Sequence, residues 1–138
     1  MRAALDLAAH ENGGAPVPIA DIARRQDISP RYLEQIFNLM KRAGVVVSKP
    51  GAKGGYKLAR PQMEITVGDI MRAVEGPTAA VKCVASAQRR ADINCPRLET
   101  CSTHKLWQRL SDKIDNFFDS VTIKEIIDEE NRFRSEPS

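Results

Sequence analysis

The stretch Ser29-Pro30-Arg31-Tyr32-Leu33-Glu34-Gln35-Ile36-Phe37-Asn38-Leu39-Met40-Lys41-Arg42-Ala43-Gly44 reads as a helix with both ends marked. Ser29 is a good N-cap, and Pro30 suits the first helical position because its missing amide would go unsatisfied there anyway. Leu33, Ile36, Phe37 and Met40 recur at i, i+3, i+4 and i+7, a stripe that faces a core. Arg31, Glu34, Gln35, Asn38 and Lys41 fall on the opposite face. Gly44 closes the helix as a left-handed cap.

Upstream, Pro18-Ile19-Ala20-Asp21-Ile22-Ala23-Arg24-Arg25 gives a short helix burying Ile19, Ile22 and Ala23, and Asp27-Ile28 stops it. Two short helices joined by a tight turn, the second exposing long polar side chains, make a helix-turn-helix. Downstream, Val45–Ser48 and Tyr56–Leu58 read as two strands around the basic, glycine-rich tip Lys49-Pro50-Gly51-Ala52-Lys53-Gly54-Gly55. A hairpin in this place is a wing. Met1–His10 is a further helix, without an N-cap, which leads us to expect residues upstream of it.

Thr66-x-x-Asp69 resembles a capping box and starts a helix through about Glu75, burying Val67, Ile70, Met71 and Val74. From Gly76 to Thr100 no periodicity is sustained, and a segment of that kind inside a small domain is functional or disordered. From Thr103 to Ser120, Leu106, Leu110, Ile114, Phe117 and Val121 form a long apolar seam, widened by Trp107 and Phe118. Such a seam at the edge of a small domain wants a partner, and we expect homodimerisation through 103–120. Thr122-x-x-Glu125 opens a last short helix with Ile126 and Ile127 inward, and Asn131–Ser138 reads as a frayed tail. The expected architecture is therefore mainly α with a small β-hairpin wing. It divides into a winged helix-turn-helix over 1–80, a ligand-binding loop over 81–103, and a dimerisation helix with its tail over 104–138.

Charge agrees with that division. The chain has 138 residues and a formal charge of +3, but residues 1–60 carry +5 and residues 61–138 carry −2. A basic half suits a polyanion, since each Lys or Arg near a phosphate releases condensed counterions. No apolar run approaches the roughly 20 residues a membrane span needs, and no secretory signal is recognisable, so a cytoplasmic protein without a membrane partner is expected. No catalytic motif is apparent, and an enzyme is not expected.

Two constellations carry chemistry. Arg31, Glu34 and Gln35 sit on one exposed face near a helix N-terminus, the part that enters the major groove of double-stranded DNA in this motif. Arg can donate two bonds to guanine, Gln can pair with adenine, and Glu can accept from the cytosine amine. Lys49 and Lys53, with Lys57 beside them, would contact phosphates, and Gly54 and Gly55 let the backbone approach closely. With Ser29 and Tyr32 at the helix start, these residues are the expected DNA-facing set.

The second constellation is Cys83-x11-Cys95-x5-Cys101-x2-His104. Three thiolates and an imidazole within 22 positions supply four ligands for a soft or borderline metal. The same residues are compatible with thiol redox sensing, with zinc, or with buried structural cysteines.

Together these features resemble the IscR-like family of iron–sulfur cluster regulators, dimeric winged-helix repressors and activators. The resemblance runs over nearly the whole chain. It rests on Val17-Pro18-Ile19-Ala20-Asp21-Ile22, Ile28-Ser29-x-x-Tyr32-Leu33-Glu34-Gln35-Ile36-Phe37, Gly54-Gly55-Tyr56-x-Leu58, Ile65-Thr66-Val67-Gly68-Asp69-Ile70 and Cys101-x-Thr103-His104-x-Leu106-Trp107. It implies that Cys83, Cys95, Cys101 and His104 ligate a [2Fe–2S] cluster, that Glu34 and Gln35 contribute to promoter choice, and that cluster occupancy changes which sites are bound. An imidazole in place of a thiolate removes negative charge and raises the reduction potential, which suits a sensor. Members without the histidine can hold a [4Fe–4S] cluster instead. The chain departs from the family in two places: the dozen residues usual before the first helix are absent, and the Cys83–Cys95 interval is longer.

Overall fold

The structure, a computed structural model, describes residues 1–76, 84 and 95–136. Helices α1 (Arg2–His10), α2 (Ile19–Gln26) and α3 (Pro30–Arg42) precede strands β1 (Val46–Lys49) and β2 (Gly55–Leu58). A 3-10 turn (Gln62–Glu64), α4 (Val67–Glu75), α5 (Ser102–Ser120) and α6 (Ile123–Ser135) follow. Sequence periodicity gave no sign of the three-residue turn, which is too short to have any.

The start of α3 is as the sequence implies, with Pro30 in its first turn and the Tyr32 amide donating to Ser29 Oγ over a long 3.5 Å. At its end the Gly44 amide reaches the Lys41 carbonyl and the Val45 amide the Met40 carbonyl, with Gly44 at φ +76°. That pair of bonds is a Schellman cap, and it satisfies carbonyls a helix end would otherwise leave bare. Because Val45 is spent on the cap, β1 begins one residue later than its β-branched run suggests.

The hairpin is antiparallel, in the register Val46↔Leu58 through Lys49↔Gly55. An isolated bridge adds Val17 alongside Tyr56, through amide–carbonyl bonds of 2.8 and 2.9 Å. Phe37 packs under this sheet with its ring 4.8 Å from that of Tyr56. Leu7, Ile22, Leu33, Phe37, Met40, Val45, Val46, Ile65, Ile70 and Ile123 are fully buried and make one core. Full burial of one such side chain contributes about 1.5–3 kcal/mol.

The buried face of α1 is Ala3, Ala4, Leu7 and Ala8, with Leu5 half-buried and Ala9 exposed. Two expectations need correction. In α4 Met71 and Val74 are only half-buried, beside the buried Val67 and Ile70. The tail is helical through Ser135, because α6 is carried on by Lys124–Asp128 and Glu130–Arg134 pairs one turn apart. Its start is tied inward. Val67 N–H donates to the Val121 carbonyl and Ile123 N–H to the Ile65 carbonyl, both at 2.9 Å, around a Thr66↔Thr122 bridge. Both threonines are N-caps: Thr66 forms the reciprocal box with Asp69, and Thr122 the forward bond to the Glu125 amide.

Inside the α1 face lies a carboxylate. The Asp6 side chain is 2% exposed and receives Arg25 on both oxygens, at 2.6 to 3.1 Å, and the Gln26 amide at 2.8 Å. Burial pushes the Asp6 carboxyl up, but the Arg25 and Gln26 hydrogen bonds and the Arg25 charge outweigh it and hold the pKa below its ordinary 3.8. A depressed carboxylate stabilises the fold above its unfolded pKa, and that contribution disappears as pH falls through the lower folded value. Arg25→Met, which leaves Asp6 buried without its cation, should cost about 2–3 kcal/mol at neutral pH, about 10 °C in Tm. Thermal melts from pH 7 to pH 2 should show the two proteins converging below pH 4. A neutral-pH difference under about 0.5 kcal/mol would contradict this account.

Candidate nucleic-acid interface and metal centre

Helix α3 separates its two faces cleanly. Leu33, Phe37 and Met40 are buried, while Arg31, Glu34, Gln35, Asn38 and Lys41 are exposed. Tyr32, 57% exposed, extends the outer face toward the α2–α3 turn. Among the described residues none of Arg31, Glu34, Lys49 and Lys53 is engaged in an ion pair. Their charges are available to a ligand.

The wing presents Lys49 and Lys53 to solvent, and Lys57 is half-buried. Gly54 and Gly55 have an internal reason to be glycine. A Cβ on Gly54 would land on the Lys49 carbonyl oxygen, and one on Gly55 on the Val17 carbonyl, where the extra bridge closes the sheet. Only a bare backbone fits. The wing is thereby held against the start of α2.

At the other end of the chain, Cys101 is the N-cap of α5 and His104 lies in its first turn, three positions on and on the same side. The Cys101 Sγ is 2.9 Å from Thr103 Oγ1. That hydrogen bond, then those of the His104 and Thr103 amides and the nearby Arg97 charge, outweigh burial and lower the thiol pKa. Thiolate is the form that ligates metal. The Nδ1 atom of His104 is buried and has no hydrogen-bond partner among the described residues. An orphaned buried imidazole nitrogen is costly, and a bound metal would satisfy it.

Cys95 is exposed and opens the turn 95–100, where the Leu98 amide bonds back to its carbonyl at 3.2 Å. Cys83 lies outside the described residues. Among the described residues no three His, Cys, Asp or Glu side chains gather as a metal set. The structure therefore pairs Cys101 with His104 but does not bring Cys95 to them. Sequence reasoning gave Thr103 no role; a hydroxyl two residues from a cysteine is too common a pattern to draw notice.

A helix-turn-helix with a free polar outer face, followed by a basic wing, defines a DNA-binding transcription regulator. The comparisons with known proteins agree. Residues 1–129 match the Rrf2 family, described as iron-dependent transcriptional regulators, and the chain belongs to that family. It is 40% identical over 131 residues to the HTH-type transcriptional regulator IscR of Photobacterium profundum, spanning 95% of this chain and 72% of that protein. With IscR of Pectobacterium atrosepticum it shares 41% over 127 residues, 92% of this chain and 73% of that one. Among solved structures, T. potens IscR is similar at TM-score 0.76 and 31% identity, covering 99% of this chain and 86% of that one. CymR of B. subtilis, titled a global cysteine regulator, is similar at TM-score 0.71 and 31% identity, covering 91% and 88%. These relatives are named as regulators, and the chain is a regulator rather than an enzyme. No helix among the described residues is long and apolar enough to cross a membrane.

Proposed function

We propose that this chain is a cytoplasmic, homodimeric transcription regulator whose [2Fe–2S] cluster state alters promoter binding. The observation that carries the reading is the buried Nδ1 of His104, without a partner among the described residues, one helical turn from a Cys101 thiol already biased toward thiolate. Cys83, Cys95, Cys101 and His104 would hold the cluster, which when bound supplies a one-electron redox centre. Cys101 and His104 would present two ligands from the start of α5, and Cys83 and Cys95 two from the proposed cluster-binding segment 81–103, whose last residues enter α5. Ligation by all four would tether that segment to the helix. Residues 1–80 then bind DNA, and 104–138 supply the dimer helix and its tail.

The dimer reading rests on α5. Leu106, Leu110 and Phe117 are 55%, 40% and 63% exposed, and Ser111 is the one buried residue of the helix. Apolar side chains exposed on a single helix at this spacing are the pattern of an interface. A two-fold dimer would present two copies of α3 to successive major grooves.

A second reading, a thiol switch without metal, is favoured by the lowered Cys101 pKa and the exposure of Cys95. The test is anaerobic purification followed by visible absorption and assays for iron, sulfide and zinc. Charge-transfer bands with two irons and two sulfides per subunit support the cluster. One zinc and no colour would make the site structural, and a metal-free protein would favour the thiol switch.

On the DNA side, the proposed contacts are Ser29, Arg31, Tyr32, Glu34, Gln35, Lys49, Lys53, Gly54 and Gly55. Arg31→Ala should weaken the preferred duplex by about 10- to 100-fold and relax the choice of one base. Lys53→Ala should weaken all duplexes alike and reduce the salt dependence by about one counterion. Fluorescence anisotropy at several salt concentrations separates the two; equal losses on every sequence for Arg31→Ala would remove it from base readout.

A further inference from the structure

A chain of charges crosses from the base of the wing to the far end of α5. Arg60, two residues beyond β2, donates to the Glu64 carbonyl at 3.2 Å and lies 3.4 Å from Asp69. Asp69 caps α4 through the Thr66 amide at 3.0 Å and lies 3.3 Å from Arg72. The same Arg72 guanidinium nitrogen donates to Asp119 in the last turn of α5 at 2.7 Å. All four side chains are partly exposed, and isolated pairs of that kind add little to stability.

Gly68 sharpens the point. It occupies the second position of α4, where alanine is the better helix former, and its backbone needs no special conformation. A Cβ there would fall on the Asp119 carboxylate and come within 3.1 Å of Arg72, so a side chain at this position would push that half-exposed carboxylate off its guanidinium partner. The bare backbone of Gly68 thus leaves room for the ion pair between α4 and α5.

We propose that Gly68, Asp69, Arg72 and Asp119 are positioning residues that set the angle of α5 against the winged helix, and through it the separation of the two DNA half-sites the dimer accepts. The proposal rests on the reading of α5 as the dimer helix. These residues touch no base. They act by fixing how far each recognition helix stands from the two-fold axis. Arg60, paired to Asp69, joins the wing to the same network.

The test uses the full chain as purified, with a pool of duplexes of randomised sequence as the probe. Wild type, Gly68→Ala, Asp119→Ala and the double variant are each used to select duplexes, and sedimentation and melting curves are recorded alongside. The variants should stay dimeric and melt near wild type, because Asp119 is an exposed end and alanine favours α4. They should select the same half-site sequence at a changed or broadened separation. At the wild-type separation each single variant should bind about tenfold more weakly, and the double variant no more weakly than either, since both remove one contact. Unchanged separation and affinity in stable dimers would overturn the proposal. So would fully additive losses. A wild-type monomer in sedimentation would overturn it by removing the dimer reading beneath it, and that failure is told apart by mass alone.

Discussion

Phe117→Glu is expected to leave the protein folded but monomeric, and to lower its affinity for a two-half-site operator by about 10²- to 10⁴-fold. The magnitude follows from linkage: a dimer that has placed one recognition helix delivers the second at high effective concentration, and a monomer forfeits that gain. Phe117 is 63% exposed in the single chain, so the substitution removes little from the chain's own core. In a paired seam it places a carboxylate among Leu106, Leu110 and their counterparts, where burial of an unpaired charge is prohibitive. Sedimentation with a melting curve reads the first effect, and titration of a selected duplex the second. A Phe117→Glu protein that still sediments as a dimer would move the interface elsewhere.

Cys101→Ala is expected to abolish the visible chromophore and most of the bound iron. Changing even an outer partner of a metal ligand costs about 10- to 100-fold in metal retention, and a lost ligand costs at least as much. The α5 helix should survive, because the Cys101 thiol supports only the first-turn amides of Thr103 and His104 in a helix of 19 residues. His104→Cys is the informative companion. It keeps four ligands but adds a thiolate charge, so colour should persist with a lower reduction potential. Full iron and unchanged colour in Cys101→Ala would sink the assignment of that ligand.

How far such a site can be read from sequence depends on how local its determinants are. The recognition helix was legible because Ser29, Pro30 and Gly44 mark its ends and a 3.6-residue period marks its buried face. Thr66 and Thr122 likewise announced α4 and α6 through bonds reaching three residues. Asp6 was not legible: its partners Arg25 and Gln26 lie 19 and 20 positions away, and a charged residue in a short helix reads as solvated. The helical tail was missed because its supports are charge pairs along an exposed face, which hydrophobic periodicity does not register. The proposed metal ligands stand out in the sequence by type and spacing. The placing of Cys95 away from Cys101 and His104 was not legible, because the stretch that carries it has no periodicity from which a position could be read.

The pairing of Thr66 with Thr122, and the burial of Ile123 beyond it, anchor the last turn of α5 to the DNA-binding core. Cys101 stands at the other end of the same 19-residue helix. At 1.5 Å per residue that is a rod of roughly 28 Å with its fulcrum at Ser120, so a swing of about 5° carries the free end roughly 2.5 Å. A lever of these proportions works in both directions. A displacement at the cysteine end of the order of one bond length, about 1.5 Å, becomes a rotation of about 3° at the core, and in the proposed dimer DNA that seats both recognition helices would press back on the cysteines through the same arm.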